Sequence, residues 1–358
     1  MSKIEWTDET WNIITGCSIA STGCKNCYAM REAGSGRVSK HKSRIGLTHK
    51  VKGKDVWTGE LRFNEDWLDQ PYRWRKPRRI FVCAAGDLFH ENGRKEWLDL
   101  VYGIMALSPQ HQFQVLTKRA DVMRAYVTEI GSRAMEIVAA LVKHFGRDRF
   151  KEAELERVAR SLLKGPLEQV WHGVSVENQE TADERIADLL WTPSAVHWVS
   201  YEPALGGVNF WAVKPTLPVH AQNGYWIDAL RGKVLSADGN PLFAAAGSID
   251  WIVAGGESGP FARPSFPEWF YDLRDDCVAA GVAFNFKQWG NWRPVVVKSG
   301  TALELPDPSD KKRAFIGPDG ERLAGPGRGK LMERVDKREA GRLLDGELWD
   351  EYPRERAA

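Results

Sequence analysis

The sequence predicts an α/β fold: a parallel, partial TIM-like β/α barrel of six to seven strands, with insertions and a C-terminal extension. Three observations predict it. Short β-branched apolar runs alternate with longer stretches of helical periodicity along the chain. Such alternation implies parallel strands joined by helical crossovers. Six or seven such units in 358 residues suit one barrel-sized domain better than an open sheet.

The strand candidates run in order. They are Thr10 to Thr15, Arg79 to Ala84, Gln112 to Thr117, Val170 to Val176, Ala195 to Ser200, Asp250 to Ala254 and Val282 to Lys287. Helical patterns fill the intervals. Glu96 to Leu107 places Trp97, Leu100, Val101, Ile104 and Leu107 on one face. Ala120 to Tyr126 leads into a longer helical stretch through Leu163, and Gln179 to Leu190 follows the fourth strand. Pro267 to Ala280 follows the sixth, with Pro267 as a first-turn residue and Gly281 as the stop. A helical stretch over Arg338 to Glu347 precedes the polar tail.

This divides the chain into a barrel over residues 1–292 and a C-terminal extension over 293–358. The barrel carries a basic insertion at 30–79 and a hairpin insertion at 208–249, the latter marked by the turn sequence Leu235-Ser-Ala-Asp-Gly-Asn-Pro.

Composition bounds the function. The formal net charge is +2, so the global balance points to neither a nucleic-acid nor a membrane partner. The start, Met1-Ser-Lys-Ile-Glu-Trp-Thr-Asp, is polar and has no secretory pattern. No apolar run approaches the roughly 18 residues of a membrane span. A cytoplasmic protein is the expectation. Of 16 tryptophans most should pack in the core, although some could stack on bases.

Five cysteines are an odd number, and three of them fall within eleven residues: Gly16-Cys17-Ser-Ile-Ala-Ser-Thr-Gly-Cys24-Lys-Asn-Cys27-Tyr28-Ala29. That pattern suits metal ligation in a reducing compartment better than a disulfide framework. Thiolates favour iron–sulfur clusters and zinc. Structural zinc takes four ligands, and His41 or His49 would have to supply the fourth. Three cysteines leave one position open for another ligand. Cys83 and Cys277 fall in a strand and a helix and read as buried apolar residues.

Each strand candidate ends in polar residues or glycine. Gly86 and Asp87 follow the second, near His90. Lys118 and Arg119 follow the third. Ser175, Glu177 and Asn178 end the fourth, and Glu202 follows the fifth. Gly255-Gly256-Glu257 ends the sixth and Lys287 the seventh. Parallel strands bring these residues to one rim, where barrels build their sites. Singly, each charge also fits a salt bridge or a helix first turn, and His90 fits packing as well as function.

Two basic segments lie before the second strand. Arg31 to Lys54 carries Arg31, Arg37, Lys40, Lys42, Arg44, Lys50, Lys52 and Lys54 against the acid Glu32. Arg73-Trp74-Arg75-Lys76 interleaves cations with an aromatic ring. Both suit phosphate contact and base stacking, and both suit a solvated loop. A nucleic acid held there is expected to lie close to the chemistry.

The three-cysteine loop after the first strand resembles that of the radical S-adenosylmethionine (SAM) enzymes. Here the spacing is Cys-x6-Cys-x2-Cys, where that family commonly has a first gap of three. The resemblance implies a [4Fe–4S] cluster on Cys17, Cys24 and Cys27, with SAM on the open iron. Reductive cleavage would then yield a 5′-deoxyadenosyl radical, with an electron donor as partner. It implies that Gly86 and Asp87 approach the SAM amino group. Lys118 or Arg119 would pair with its carboxylate, and Ser175 and Asn178 would hold its ribose or methionine part. Glu177, Glu202, Glu257 and Lys287 are then candidates for catalysis on a nucleotide or nucleic-acid substrate.

Two alternatives stand beside this reading. One is a nucleic-acid-binding module with structural zinc. The other is a barrel hydrolase using the strand-end carboxylates.

The whole chain also resembles a family of phage and bacterial proteins of unassigned function. The resemblance is carried by Trp11-Asn12, Gly16-Cys17, Gly23-Cys24, Cys27-Tyr28-Ala29, Asp87-Leu88-Phe89-His90, Leu116-Thr117-Lys118-Arg119, Gly173 to Asn178, Glu202-Pro203, Gly255 to Gly259 and Lys287-Gln288-Trp289-Gly290. It implies the cytoplasm of a bacterium or of a phage-infected host cell.

Overall fold

In the computed structural model, described over residues 4–36, 40–216, 224–295 and 310–353, seven parallel strands form the central sheet. They are β1 (Glu9–Trp11), β2 (Arg79–Val82), β3 (Gln112–Thr117), β4 (Val170–Ser175), β5 (Val196–Tyr201), β6 (Trp251–Gly255) and β7 (Ala283–Gln288). Each strand pairs in parallel with the next in the chain. The sheet order never reverses, which separates it from a doubly wound sheet. Repeated crossovers of one hand curl it into a half-barrel. Among the described residues β1 and β7 do not pair with each other, so the sheet stays open.

The crossovers are α2 (Lys95–Leu107), then α3 (Ala120–Thr128), α4 (Ala134–Phe145) and α5 (Glu152–Lys164), then α6 (Gln179–Trp191) and α7 (Glu268–Ala280). A shorter helix, α1 (Tyr28–Gly34), follows the cysteines. Asn178 caps α6, its side chain accepting from the Thr181 N–H at 3.1 Å.

Period-2 alternation sorts the strand residues onto two faces. Ile80, Val82, Phe113, Val115, Val174, Val199, Ile252 and Phe284 face the helices and form the large core. Phe81, Trp171, Trp198, Trp251 and Val253 point to the inner face and meet Trp6 there. Trp6 and Trp198 approach to 5.3 Å between ring centroids. The Trp198 and Trp251 indole N–H groups donate to the carbonyls of Val115 (3.1 Å) and Glu351 (2.9 Å), so the aromatic floor buries no lost donor at those two rings. The same alternation sets Ser175, Ser200, Gly255 and Lys287 above this floor, toward the C-terminal rim.

The C-terminal extension covers the open edge. Phe286 N–H donates to the Trp349 carbonyl (2.9 Å), and Tyr352 stacks on Trp251 at 5.3 Å. Four short strands, Trp292–Pro294, Arg313–Ile316, Arg322–Leu323 and Lys330–Arg334, form an antiparallel sheet. Its Ala314, Ile316 and Met332 join the main core. The hairpin expected around Leu235 to Pro241 is present as Lys233–Leu235 against Pro241–Ala244.

Three expectations differ from the structure. The first strand ends at Trp11, and Ile14–Thr15 leave the sheet to pair antiparallel with Arg62–Phe63. Asn12 marks the departure: its side chain accepts from the Ala85 N–H at 3.0 Å. The stretch from Ala120 to Leu163 is three helices, interrupted around Gly131 and at Gly146. The helix expected over Arg338 to Glu347 is a single helical turn, Lys337–Ala340, followed by a small ribbon, Leu343–Leu344 with Glu347–Leu348. No described helix is long and apolar enough to cross a membrane.

Candidate functional site

The cysteine loop lies across the C-terminal rim of the half-barrel. Gly16 bridges to Gly86 beyond β2, and its N–H donates to the Ala85 carbonyl at 3.2 Å. The chain then passes Cys17 and winds a short 3-10 turn over Thr22–Asn26. It enters α1 immediately after Cys27, whose N–H donates to the Cys24 carbonyl at 3.2 Å. Cys24 is buried, and Cys17 and Cys27 are half-buried. The last two pack on a small core of Ala29, Met30, Ala33, Leu47 and Trp57.

The three thiols lie within electrostatic reach of one another. Burial, helped by the Asp87 charge, pushes Cys17 up to about 12. Burial also raises Cys27. Burial works in the same direction on Cys24, but the Lys118 charge and hydrogen bonds from Ala20 and Ser21 outweigh it and lower the thiol.

Asp87 and Arg119 form one support of the loop. Asp87 accepts from the Thr117 hydroxyl (2.7 Å), the Phe89 N–H (3.0 Å), the Lys118 N–H (3.2 Å) and Arg119 Nη1 (3.1 Å). Arg119 in turn donates to Cys17 Sγ (3.4 Å), Ser18 Oγ (2.6 Å) and Glu91 Oε2 (2.8 Å). His90 Nδ1 accepts from the Asn92 N–H at 3.1 Å, so Nε2 carries the proton and donates to Ser18 Oγ at 3.0 Å. Burial and the Arg119 charge lower the His90 pKa, which favours this neutral form. Asp87 and His90 are thus positioning residues for Arg119 and Ser18.

Glu177 forms the second support. It is fully buried and accepts from Ser21 Oγ (3.0 Å), from Lys118 Nζ and from Arg185 Nη1 (3.1 Å). Burial pushes Lys118 down to about 8. Gly23 rests against this carboxylate: a Cβ at Gly23 would stand 2.5 Å from Glu177 Oε1 and 2.7 Å from Cγ. The loop can lie on the rim only because residue 23 has no side chain.

Glu257 forms the third. Arg263 grips it through Nη2 (2.6 Å) and Nε (2.9 Å), and Asn26 Nδ2 donates to it at 3.0 Å. Arg263 Nη1 also donates to the Thr22 carbonyl at 3.1 Å. Glu202 and Lys287 form a separate ion pair of 3.0 Å across β5 and β7, without a hydrogen bond to the loop. The Tyr28 hydroxyl, at the same rim, donates to the Ala84 carbonyl at 2.5 Å.

The structure therefore gathers Asp87, Lys118, Arg119, Glu177 and Glu257 around the three cysteines, as the strand-end pattern predicts. Ser175 and Gly86 lie at the same rim. Asn178 is there too, with its carboxamide oxygen engaged in the helix cap. His41 is held by Ser43 (2.8 Å) and stacks on Trp67, while His49 lies exposed on a hairpin, Thr48–Val51 with Lys54–Trp57. Among the described residues no three His, Cys, Asp or Glu side chains converge tightly enough to hold one metal ion. Cys83 lies one residue beyond β2 and is buried, as is Cys277 within α7.

The basic segment Arg73-Trp74-Arg75-Lys76 is elsewhere. It immediately precedes β2, at the N-terminal end of the sheet and opposite the cysteines, so it does not adjoin the cysteine loop. Arg73 pairs with Asp69 at 3.1 Å, and Arg78 covers the Trp74 ring at 4.9 Å. Of the other segment, Arg37 lies outside the described residues.

Sequence reasoning missed Ser18, Ser21, Asn26, Arg185 and Arg263, the partners that fasten the loop. Arg185 was findable in principle, two helical turns beyond the Asn178 cap and facing the sheet. The pairing of Ser21 and Asn26 with carboxylates 156 and 231 residues away left no local signal.

No curated protein and no solved structure matches the chain. Residues 1–353 match the family described as protein of unknown function (DUF5131), a description that carries no activity. The chain belongs to that family.

Proposed function

We propose that this protein is a radical SAM-like iron–sulfur enzyme that removes a hydrogen atom from its substrate. One observation carries the reading. A loop bearing three neighbouring thiols crosses the C-terminal rim of a parallel half-barrel, and side chains from three strand ends fasten it there.

The donor type suits a cluster: thiolates are its usual ligands, and they bind separate irons rather than converging on one ion. Cys17, Cys24 and Cys27 would hold it, and three thiolates leave one iron without a protein ligand. Lys118, Arg119 and Arg185 place positive charge beside the thiols, which offsets the negative charge of thiolates in a buried setting. When bound, the cluster would supply the electron that cleaves SAM. Hydrogen bonds to ligand sulfurs raise such potentials, and the Arg119 contact to Cys17 is of that kind.

The chain's own residues then divide the work. Asp87, Glu177 and Glu257 have their carboxylates engaged by protein donors and orient the loop. The Glu202–Lys287 pair is not part of that fastening, and it faces the barrel interior beside Gly255. It is the proposed contact for SAM or substrate. The aromatic floor of Trp171, Trp198 and Trp251 closes the interior from below and excludes water.

The test is chemical. Anaerobically reconstituted protein receives dithionite and SAM, and 5′-deoxyadenosine is quantified. Release above the protein-free control supports the reading. No release from protein carrying a full cluster overturns it.

A further inference from the structure

Around Gly259 to Phe261, in the loop after β6, lie three cations that have no acidic partner among the described residues. Arg31, on α1 four residues beyond Cys27, lays its guanidinium against Gly259, where φ is +112° and a Cβ would strike it. Its Nε is buried without a hydrogen-bond partner, and among the described residues no carboxylate pairs with it. Lys54, on the exposed hairpin, places Nζ 4.3 Å from the Phe261 ring centroid and has no ion pair among the described residues. Arg334 Nη2 donates to the Gly259 and Pro260 carbonyls rather than to an acid. Three positive side chains thus surround the segment Gly259-Pro260-Phe261.

Phe261 adds a second feature. It is 54% exposed, so beside the Lys54 contact it still presents apolar ring surface to solvent. The segment also adjoins the thiols, because Asn26 Nδ2, one residue before Cys27, donates to the Phe261 carbonyl at 2.9 Å. At the far end of the sheet Asp69 pairs with Arg73 and Arg149, and Arg75 and Lys76, although without an ion pair among the described residues, lie away from the cysteine loop.

We infer that Gly259-Pro260-Phe261, with Arg31, Lys54 and Arg334, is a docking subsite for single-stranded nucleic acid. The unpaired cations take backbone phosphates, and Phe261 stacks one base. An exposed base is the part of such a strand that can enter a rim site, which a base inside a duplex cannot do without being flipped out. The inference rests on the proposed function only for what the docked strand is used for.

The test uses the full-length protein and fluorescein-labelled single strands of about 12 nucleotides. Anisotropy titrations are run across a salt series. Arg31→Ala and Lys54→Ala should each reduce the slope of log affinity against log salt by roughly 0.7. Phe261→Ala should weaken binding by about fivefold or more, whereas Arg75→Ala and Lys76→Ala should leave it unchanged. Melting curves confirm that the variants fold, and Phe261→Leu provides a milder second substitution. Equal affinity in all variants overturns the subsite. So does loss confined to Arg75 and Lys76, or a duplex binding as tightly as the single strand. Deoxyadenosine release is read on the same preparations. Release without strand binding overturns this inference alone, and strand binding without release overturns the radical reading alone.

Discussion

Gly23 and Glu177 are in contact across 154 residues of sequence, with the glycine α-carbon laid on the buried carboxylate so closely that a Cβ would stand 2.5 Å from Oε1. This contact locks the cysteine loop to the end of β4. Gly23→Ala should push the loop off the rim. The expected result is loss of most bound iron after reconstitution, with a stability loss of about 1–3 kcal/mol. Iron content and urea unfolding measure the two effects separately. Full iron occupancy in the variant would show that the contact does not position the cysteines.

Glu177 itself sits between Lys118 and Arg185. Glu177→Gln removes the buried carboxylate charge shared by partly buried Lys118 and fully buried Arg185, leaving Arg185 only the exposed Glu184 at 3.4 Å. Breaking such a pair costs about 3–5 kcal/mol, so this variant should be the least stable of the strand-end carboxylate series. Glu257→Gln removes the charge partner of Arg263, which is partly exposed, and should cost less. Denaturant midpoints for the two variants decide the order.

Glu202 and Lys287 behave differently in this account because neither fastens the loop. Lys287→Met and Glu202→Gln should keep iron binding near that of the unaltered protein and lower deoxyadenosine release by tenfold or more. Parallel iron assays and turnover assays check both halves. A variant with normal turnover would remove the pair from the site.

A fourth expectation concerns acid. His172 is buried between the Tyr102 hydroxyl (2.7 Å) and Ser194 (2.9 Å), and burial pushes its pKa down to about 3. Its unfolded value is about 6.5. The folded protein therefore binds this proton less readily than the unfolded chain. The stabilisation is complete above about pH 6.5 and is lost as pH falls toward 3, reaching up to about 2 kcal/mol at pH 5. His90 and His111 are lowered as well and act in the same direction. Unfolding at pH 5 and pH 7.5 should show the loss, and His172→Gln should reduce it.

Six of the seven strands were legible because parallel strands buried on both faces read as short apolar runs. Gln112–Thr117 matches residue for residue, and the next four are displaced by at most one residue at either end. The first strand was only half legible. Ile13 and Ile14 continue its apolar run, and periodicity does not reveal that Ile14–Thr15 change partner to Arg62–Phe63. The C-terminal ribbon was misread because Arg338 to Glu347 is rich in helix formers, while Gly341, Asp345 and Gly346 adopt positive φ.

The site was legible as a rim and not as a network. Strand-end acids and bases are visible one at a time, so Glu177 and Glu257 looked like catalytic carboxylates. In the structure Ser21, Asn26, Arg185 and Arg263 engage both acids, and the proposed reading therefore gives them the holding of the loop. The near basic segment and the far one were equally basic in sequence. Only the fold separates Lys54, over the Phe261 ring, from Arg73 to Lys76 at the other end of the sheet.

The most direct measurement is the iron, sulfide and zinc content of protein reconstituted anaerobically, for the unaltered chain and for Cys17→Ala, Cys24→Ala and Cys27→Ala. The account predicts about four irons and four sulfides per chain, lost in each of the three variants and retained in Cys83→Ala and Cys277→Ala. One zinc per chain with no iron or sulfide would contradict it.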